Sequence, residues 1–478
     1  MGYFTLAPLL IAIRGRQVVV AAALGLGSGT LTNFLGFFWL LDTLQSYSGF
    51  PTLLCIFVLL LLSLAQGGRM ALFSGLVCAL HQKRWPWIGS VSTAFVTSEV
   101  LYPLLLPWYF GAALHSHPLL MQTADLGGPI LVGLPLAVVA AAIATCFDPN
   151  SVAPRIQRPP RSSLLAAGGA LILPIVYGML RIPIVDQRSA SAPKARIGVV
   201  QGNVPMPPTA PQTLHQRFEA QVQRSIELEN QGAQLILWSE SAFIHPLTQG
   251  SETQDVRRTL QQRVHVPMLV GALVETSPTR IYNTALLIAS DGSVLGRYDK
   301  QHLLPFGEYL PLGEHFPELY RLSPASGRIS QGVRSTPIPF EDKRITVLIC
   351  YEDILPGWVV DAVHRHRPHL LVNLTNDAWF GESSEPLIHL ALSKFRAVEH
   401  RRYLVRATNT GESAVVDPVG RRVASAQPYR EASFVSEVRW LHGWTLYGLW
   451  GNVPWYLIAI GVGLGVIIQR PKKEKSFE

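Results

Sequence analysis

Residues 344–352 read Arg-Ile-Thr-Val-Leu-Ile-Cys-Tyr-Glu, an apolar run that ends in a thiol and a carboxylate. The run is rich in branched residues and has the length of a strand that is buried on both faces of a sheet. Open α/β sheets bind their ligands at the carboxyl ends of such strands. Cys350 is therefore a candidate nucleophile, although an isolated cysteine at a strand end is more often a packed, unreactive side chain.

Apolar residues are concentrated in two parts of the 478-residue chain. Hydrophobic residues make up 48% of the sequence and charged residues only 15%, which is unusual for a wholly soluble protein. Most apolar stretches lie in 1–185, another lies at 446–468, and 195–440 has the composition of a soluble domain. We therefore expect N-terminal transmembrane helices in 1–185, a polar domain in 195–440 and a C-terminal transmembrane helix in 446–468.

Six stretches are long enough to cross a bilayer, which takes roughly 20 apolar residues. They are residues 17–41, 51–80, 88–112, 128–147, 164–184 and 446–468. A shorter apolar stretch at 3–13 fits either the end of a further helix or a re-entrant segment. It does not resemble a signal peptide, because no basic region precedes it.

Lysine and arginine collect in every second loop between these spans, and cytoplasmic loops carry the excess of such residues. The basic loops contain Arg14, Arg16, Lys83, Arg84, Arg155, Arg158, Arg161, Arg470, Lys472, Lys473 and Lys475. The alternate loops, 42–50 and 113–127, contain neither lysine nor arginine. We therefore expect the polar domain to lie outside the cytoplasm. The net charge of +8 then reflects loop anchoring, and we expect no nucleic-acid partner.

Short branched runs alternate with helical stretches in the polar domain, an order that predicts α/β layers. The predicted strands are 197–200, 235–238, 268–273, 284–288, 345–349, 370–374, 404–407 and 414–416, and the clearest helices are 211–230, 252–263 and 385–402. The strand 235–238 runs into Ser239 and Glu240. We therefore expect a carboxylate to meet the Cys350 thiol at one edge of a sheet.

A loop marked by Pro305 and Gly307 supplies two further charged groups, Lys300 and Glu308. A thiol with an ordinary pKa of roughly 8.5 needs a nearby base or cation to become a thiolate. A carboxylate such as that of Glu240 has the chemistry to take that proton. Attack on a carbonyl leaves negative charge on oxygen, which an ammonium such as that of Lys300 stabilises.

The spacing also leaves one alternative open, because sequence separation does not reveal distance. A cysteine–histidine pair fits four further residues, namely His302, His364, His369 and His389. Three other cysteines, Cys55, Cys78 and Cys146, fall in or beside the predicted spans. The histidines and cysteines show none of the spacings typical of a metal site, so we expect no metal and no cofactor.

Five motifs in order resemble those of the apolipoprotein N-acyltransferase family of the nitrilase superfamily. They are 238–241 (Trp-Ser-Glu-Ser), 299–300 (Asp-Lys) with 305–309 (Pro-Phe-Gly-Glu-Tyr), 349–352 (Ile-Cys-Tyr-Glu), 376–381 (Asn-Asp-Ala-Trp-Phe-Gly) and 406–411 (Arg-Ala-Thr-Asn-Thr-Gly). The chain departs from the family at Ser239, where proline is usual, and at 206–209, where a tryptophan is common. The resemblance implies an α/β fold, an αββα nitrilase-like sandwich inserted in an α-helical transmembrane bundle.

The same resemblance implies a Glu-Lys-Cys triad, with Glu240 as general base, Lys300 as oxyanion-stabilising cation and Cys350 as nucleophile. The supporting or substrate-binding residues that it implies are Glu308, Tyr351, Glu352 and Trp379. The implied reaction is a ping-pong acyl transfer. A phospholipid gives its acyl chain to the cysteine as a thioester, and the α-amine of the diacylglyceryl-cysteine of a lipoprotein then accepts it.

The resemblance further implies a multi-pass protein of the bacterial cytoplasmic (inner) membrane, a monomer, with its catalytic domain on the periplasmic side. Its partners would be a phospholipid acyl donor and a diacylated apolipoprotein. A membrane-tethered nitrilase-like amidase, a C–N hydrolase with the same triad and water as acceptor, is the alternative. A third possibility is a catalytically inactive lipid-binding protein.

Overall fold

The computed structural model describes residues 2–148, 156–204, 210–243, 245–260, 263–277, 280–313, 315–322, 327–333 and 336–468. Arg155, the basic residues after 468 and the departure at 206–209 therefore lie outside the described residues. The chain divides into two compact units. The first is drawn from Met1–Phe38, Leu53–Leu180 and Trp450–Glu478, and the second from Trp39–Thr52 and Arg181–Leu449.

Helices form most of the first unit and flank the sheets of the second. The α-helices of the described residues are α1 (Ala7–Ile13), α2 (Val18–Gly36), α3 (Leu40–Ser48), α4 (Thr52–Gln82), α5 (Trp87–Leu101), α6 (Pro118–Met121), α7 (Ala124–Ala144), α8 (Arg161–Ala190), α9 (Pro211–Asn230), α10 (Glu252–Leu260), α11 (Leu319–Leu322), α12 (Pro356–His366), α13 (Glu385–His400), α14 (Leu446–Trp450) and α15 (Val453–Ile468). Short 3-10 helices lie at Gly2–Phe4, Phe110–Leu114, Cys350–Ile354 and Asp377–Phe380.

Four helices of the described residues, α2, α4, α7 and α8, are long and apolar enough to cross a membrane. Shorter apolar helices lie at Gly2–Ile13 and Val453–Gly463. Helices α2 and α4 approach closely at glycines, since a Cβ on Gly29 would lie 2.7 Å from the carbonyl oxygen of Gly67. Small residues at such crossings are typical of helix packing in membranes. The predicted transmembrane bundle is confirmed.

Two of the predicted spans differ in detail from the structure. The stretch 88–112 contains α5, which has only 15 residues and ends at Leu101. Prolines at 103 and 107 follow, and proline disfavours helix at the residue before it and lacks the N–H that a helix needs. A rise of about 22 Å is less than the roughly 30 Å hydrocarbon core, so the predicted length of this span is wrong. The stretch 446–468 is two helices, α14 and α15, with Gly451 at φ 52° between them.

Two β-sheets, each with a main path of six strands, form the centre of the second unit. The strands are β1 (Lys194–Gln201), β2 (Leu235–Leu237), β3 (Leu247–Thr248), β4 (Met268–Ser277), β5 (Arg280–Ile288), β6 (Val294–Asp299), β7 (Ile338–Phe340), β8 (Lys343–Ile349), β9 (Leu370–Thr375), β10 (Leu404–Thr408), β11 (Ala414–Val416), β12 (Arg422–Ser425) and β13 (Ala432–Arg439). One sheet has the order β13-β1-β2-β4-β5-β6, with β3 beside β4, and the other has the order β12-β11-β10-β9-β8-β7. The central strands β1-β2-β4 and β8-β9-β10 are parallel, and antiparallel strands flank them.

Three apolar layers show how the sheets are stacked. Inner-face residues of both sheets, such as Leu237 and Val347, form one buried cluster. Phe218 of α9 packs on the other face of the first sheet, and Val359 of α12 and Leu390 of α13 pack on the other face of the second. The order helices, sheet, sheet, helices confirms the predicted αββα sandwich.

The packing around Gly271 of β4 generates a stability prediction. A Cβ at this position would lie 2.6 Å from the Cα of Glu240, which is closer than packed atoms approach. We expect Gly271→Ala to lower the free energy of unfolding by about 1–3 kcal/mol, because the turn that follows β2 must move. The thermal unfolding midpoint of the purified protein measures this. Gly357→Ala, at a helix start with open space around it, is the matched control and should keep the midpoint or raise it slightly.

Candidate active site

The carboxyl ends of three strands bring the predicted triad together. Glu240 lies three residues beyond β2, Lys300 directly follows β6, and Cys350 directly follows β8. All three line one cavity of about 460 Å³. Each is buried, with 5%, 1% and 6% of its surface exposed, respectively. The cavity therefore holds a carboxylate, an ammonium and a thiol that are largely shielded from solvent.

Cys350 lies in a sharp turn where β8 becomes a short 3-10 helix. Its φ is 51°, in the left-handed region that residues with a Cβ rarely adopt. Such a conformation costs on the order of 1–3 kcal/mol and persists only where the surroundings hold it. The turn directs the chain away from the sheet at the thiol, so that the sulfur is presented at the strand end.

Glu352 holds this turn from one side. Its carboxylate accepts hydrogen bonds from the backbone N–H of Ile349 at 2.7 Å, of Gln301 at 2.7 Å and of His302 at 3.0 Å. It also accepts from the Tyr298 hydroxyl at 2.8 Å. Burial raises the pKa of Glu352 to about 7, although the three backbone donors oppose the shift. The side chain ties the end of β8 to the segment after β6 that carries the lysine.

Two carboxylates share the ammonium of Lys300. Its Nζ lies 3.2 Å from Glu240 Oε1 and 2.8 Å from Glu308 Oε2. Burial opposes the charge on Lys300, but the two carboxylates outweigh it and hold the pKa of the ammonium well above its ordinary value. Lys300 is therefore a fixed positive charge at the base of the cavity.

Asn283 of β5 joins the same group, and the sequence patterns did not identify it. Its amide donates to Glu240 Oε1 at 2.6 Å and to Glu308 Oε1 at 2.9 Å. The backbone N–H of Asn376 donates to the other oxygen of Glu240 at 2.8 Å. The only signal in the sequence is an asparagine next to the apolar run of β5, which does not specify its partners. These donors fix the orientation of the Glu240 carboxylate.

The charges in the cavity shift the pKa values of the base and the thiol. Burial raises the pKa of Glu240, Lys300 lowers it, and Glu308 adds to the rise, with a net shift above the ordinary value. Burial raises the pKa of the Cys350 thiol to about 12, with Glu240 acting in the same direction and Lys300 against it. The thiol is therefore protonated at neutral pH and needs a base in contact with its proton at the moment of attack.

The other predicted residues occupy different places. Glu308 and Trp379 line the cavity, whereas Glu352 acts beneath the turn. Tyr351 is half-buried, and burial, together with Tyr309, raises the pKa of its hydroxyl to about 12. Tyr351 is not among the described residues that line the cavity.

The histidines named as alternative partners of the thiol lie elsewhere, and no histidine is among the described cavity-lining residues. His302 packs on Trp358 with ring centroids 4.5 Å apart, and His364 contacts the carbonyl oxygen of Gly448. The backbone N–H of Arg344 donates to His369. The geometry therefore favours a carboxylate as the proton acceptor.

His389 lies in a buried cluster with Asp377 and Glu385 whose ligand atoms are within 4.8 Å of one another. Arg406 Nη2 is 3.0 Å from Asp377 Oδ2, so a guanidinium already occupies one side of the cluster. Burial and Arg406 lower the pKa of His389, but Asp353 and Asp377 outweigh them and raise it well above its ordinary value. Arg406 and His389 face three carboxylates here, those of Asp353, Asp377 and Glu385, and the bound guanidinium fits an ion-pair network better than a metal site.

Comparison with known proteins gives two family matches. Residues 196–438 match the carbon-nitrogen hydrolase family, and residues 1–142 match the apolipoprotein N-acyltransferase N-terminal domain. An apolipoprotein N-acyltransferase of Rhodopseudomonas palustris is 33% identical, over 84% of this chain and 78% of its own length. The enzyme of the same description from Geobacter metallireducens is 28% identical, over 100% of this chain and 92% of its own length. Among solved structures, an amidase from Nesterenkonia sp. is 22% identical, covering 51% of this chain and 90% of its own, with a TM-score of 0.38.

The charge of Glu240 predicts a shift in the reactivity of the thiol. Because this charge raises the pKa of Cys350, Glu240→Gln should increase the thiolate fraction at a given alkaline pH. Alkylation of Cys350 by iodoacetamide, followed by mass spectrometry of its peptide between about pH 7 and 10, should then rise at lower pH than in the wild type. Glu437→Gln, on β13 and outside the cavity lining, makes the same charge change and should leave the profile unchanged. An alkylation profile that moves to higher pH in Glu240→Gln would contradict the inference that the charge of Glu240 raises the pKa of Cys350.

Proposed function

The chain belongs to the apolipoprotein N-acyltransferase family, and we propose that it moves an acyl chain from a membrane phospholipid, through a thioester on Cys350, to the α-amine of a diacylglyceryl-cysteine on a lipoprotein. The observation that carries the proposal is the shared cavity. A buried thiol on a strained turn lies in one cavity with an oriented carboxylate and a fixed ammonium. These groups supply nucleophile, base and charge stabilisation for acyl transfer.

Acylation of Cys350 is the first step. Glu240 takes the proton of the thiol as the sulfur attacks the ester carbonyl of the phospholipid, and the C–O double bond opens to an oxyanion. The ammonium of Lys300 stabilises that oxyanion. The intermediate then collapses, the bond to the glycerol oxygen breaks, and Glu240 returns its proton to this oxygen. Lysophospholipid leaves and the acyl chain stays on the sulfur.

Transfer to the acceptor repeats the same chemistry in the second step. The α-amine attacks the thioester carbonyl, and Glu240 takes a proton from the nitrogen. Lys300 again faces the oxyanion, the C–S bond breaks, and the thiolate regains the proton from Glu240. Burial raises the pKa of Glu240 above its ordinary value, so its carboxylate is a stronger base for both proton transfers than an exposed carboxylate would be.

Most of the remaining cavity wall is apolar and suits an acyl chain. Phe243, Leu273, Trp379 and Phe380 are among the lining residues. Apolar walls with a few convergent polar groups are the usual form of a small-molecule site. In this proposal Trp379 contacts substrate, Glu308 holds Lys300, Glu352 holds the turn, and Tyr351 borders the site from the nucleophile's own turn.

We place the catalytic unit on the periplasmic side of the bacterial inner membrane. The segment Trp39–Thr52, which joins α2 to α4, belongs to the same compact unit as the two sheets. Trp39 packs edge-on against Phe380 with ring centroids 5.2 Å apart. Because 42–50 lacks lysine and arginine, this contact supports an extracytoplasmic position for both. The boundaries 1–185, 195–440 and 446–468 and the monomeric state remain part of the proposal.

The reaction can be separated from hydrolysis with a labelled phospholipid and a diacylated lipopeptide. We expect the purified protein to convert the label into N-acylated lipopeptide. Glu240→Gln and Lys300→Ala should each slow this conversion by about 100-fold or more, since each removes a group that acts in the transition state. Thin-layer chromatography and mass spectrometry of the products measure both. Release of free fatty acid without N-acylated lipopeptide would reject the transferase in favour of the amidase-like hydrolase.

A further inference from the structure

The left-handed turn at Cys350 is also held by hydrogen bonds from the helix-facing side of the second sheet. Asn373 of β9 donates from its Nδ2 to the carbonyl oxygen of Leu348 at 3.3 Å and to that of Cys350 itself at 3.2 Å. Asn373 is fully buried and is the register partner of Leu348 across the parallel pair β8-β9. One side-chain amide therefore holds two backbone carbonyl groups, that of Leu348 near the end of β8 and that of Cys350 in the turn.

Arg406 determines which way this amide faces. Its Nη1 donates to Asn373 Oδ1 at 2.9 Å, and Arg406 of β10 is the register partner of Asn373. An arginine offers only donors, and a carbonyl offers only acceptors. The amide oxygen must therefore face Arg406 and the amide NH2 must face the carbonyls of the turn. The opposite orientation would bring donor against donor and acceptor against acceptor.

Arg406 also reaches the turn directly, through Asp353. Its Nη1 lies 3.2 Å from Asp353 Oδ2, and Asp353 belongs to the 3-10 helix that begins at Cys350. His389 of α13 contacts the other oxygen of this carboxylate at 2.9 Å. Neighbouring residues of one turn are thus anchored in different directions, Glu352 to the segment after β6 and Asp353 to α13 and Arg406.

Arg406 belongs to a buried network of charged groups. Arg406 and a protonated His389 face the carboxylates of Asp353 and Asp377, and Glu385 lies beside His389. Burial lowers the pKa of Arg406, but Asp377 and Asp353 outweigh it and raise it above its ordinary value. A buried ion pair is costly to break, because removing one member leaves an uncompensated charge. These groups do not line the cavity, so substrate binding does not explain them.

We propose that Arg406 is a positioning residue for the acyl transfer, acting through Asn373 and Asp353 to hold the turn at Cys350 in its reactive geometry. The inference rests on the proposed function and adds to it. Residues on the helix-facing side of the sheet would set the position of the Cys350 sulfur. Acylation needs that sulfur aligned with the ester carbonyl, and a displacement of about 1 Å can cost roughly 100-fold in rate.

Asn373→Asp is the sharpest test, because it keeps the shape and the acceptor that faces Arg406 but replaces the donor to the Cys350 carbonyl. We expect the rate constant for acylation of Cys350 by phospholipid to fall by about tenfold or more, with the KM for phospholipid unchanged. The thermal unfolding midpoint should fall as well, because the new carboxylate faces two carbonyl oxygens and adds a buried charge, so the rate is compared with that of a control variant that also lowers the midpoint. Arg406→Lys is the second variant: it keeps the charge but loses the forked donors, and it should show the same fall in rate at unchanged KM.

Thr346→Val is the matched control. Thr346 lies on β8 and is fully buried, and its hydroxyl makes a 2.9 Å hydrogen bond to His366 away from the turn. This variant should lower the unfolding midpoint and leave the acylation rate constant unchanged. A wild-type rate in folded Asn373→Asp and Arg406→Lys, or a fall matched by Thr346→Val, would overturn the positioning role. If wild-type Cys350 is not acylated at all, it is the proposed function that fails.

Discussion

Lys300 is buried between two carboxylates, and the rest of the site depends on this shared ammonium. Removing charges from water costs several kcal/mol per ion, and the cost is recovered only where geometry and hydrogen bonds are well matched. Here the Asn283 amide donates to both Glu240 and Glu308, and the backbone N–H of Asn376 donates to the second oxygen of Glu240. Burial and the charge of Glu240 raise the pKa of the neighbouring thiol, and we propose that Glu240 is the base that removes its proton.

Cys350, the proposed nucleophile, is held by the sheet on which it lies. Its turn stores strain in a left-handed φ, and buried carboxylates on adjacent residues, Glu352 and Asp353, anchor it to different parts of the fold. The two parallel strand sets of the sandwich thus have distinct tasks. Strands of the first sheet lead to Glu240 and Lys300, and strands of the second lead to the Cys350 thiol and hold its turn.

The sequence predicted much of this fold because its central strands are buried on both faces and read as short branched runs. The ends of 235–238 and 345–349 lead to Glu240 and Cys350, and both residues line one cavity. The expectation that they meet at one edge of a single sheet is wrong, because β2 lies in the first sheet and β8 in the second, so the two side chains meet across the sandwich. Asn283 could not be found in this way, since a single polar residue beside a strand run does not reveal which carboxylates it meets. Arg406 appeared only as part of a motif, because its role depends on register across β8, β9 and β10. The length of α5 was overestimated because hydropathy alone does not weigh the prolines that follow it.

Intact-mass and peptide mass spectrometry of the protein after incubation with phospholipid, in the absence of any acceptor, shows whether Cys350 carries the acyl chain. We expect one acyl chain in thioester linkage on the peptide that contains Cys350, none in Cys350→Ala, and loss of the adduct when a diacylated lipopeptide is added. An acyl chain on a different residue, or N-acylation of the lipopeptide by Cys350→Ala, would contradict this expectation.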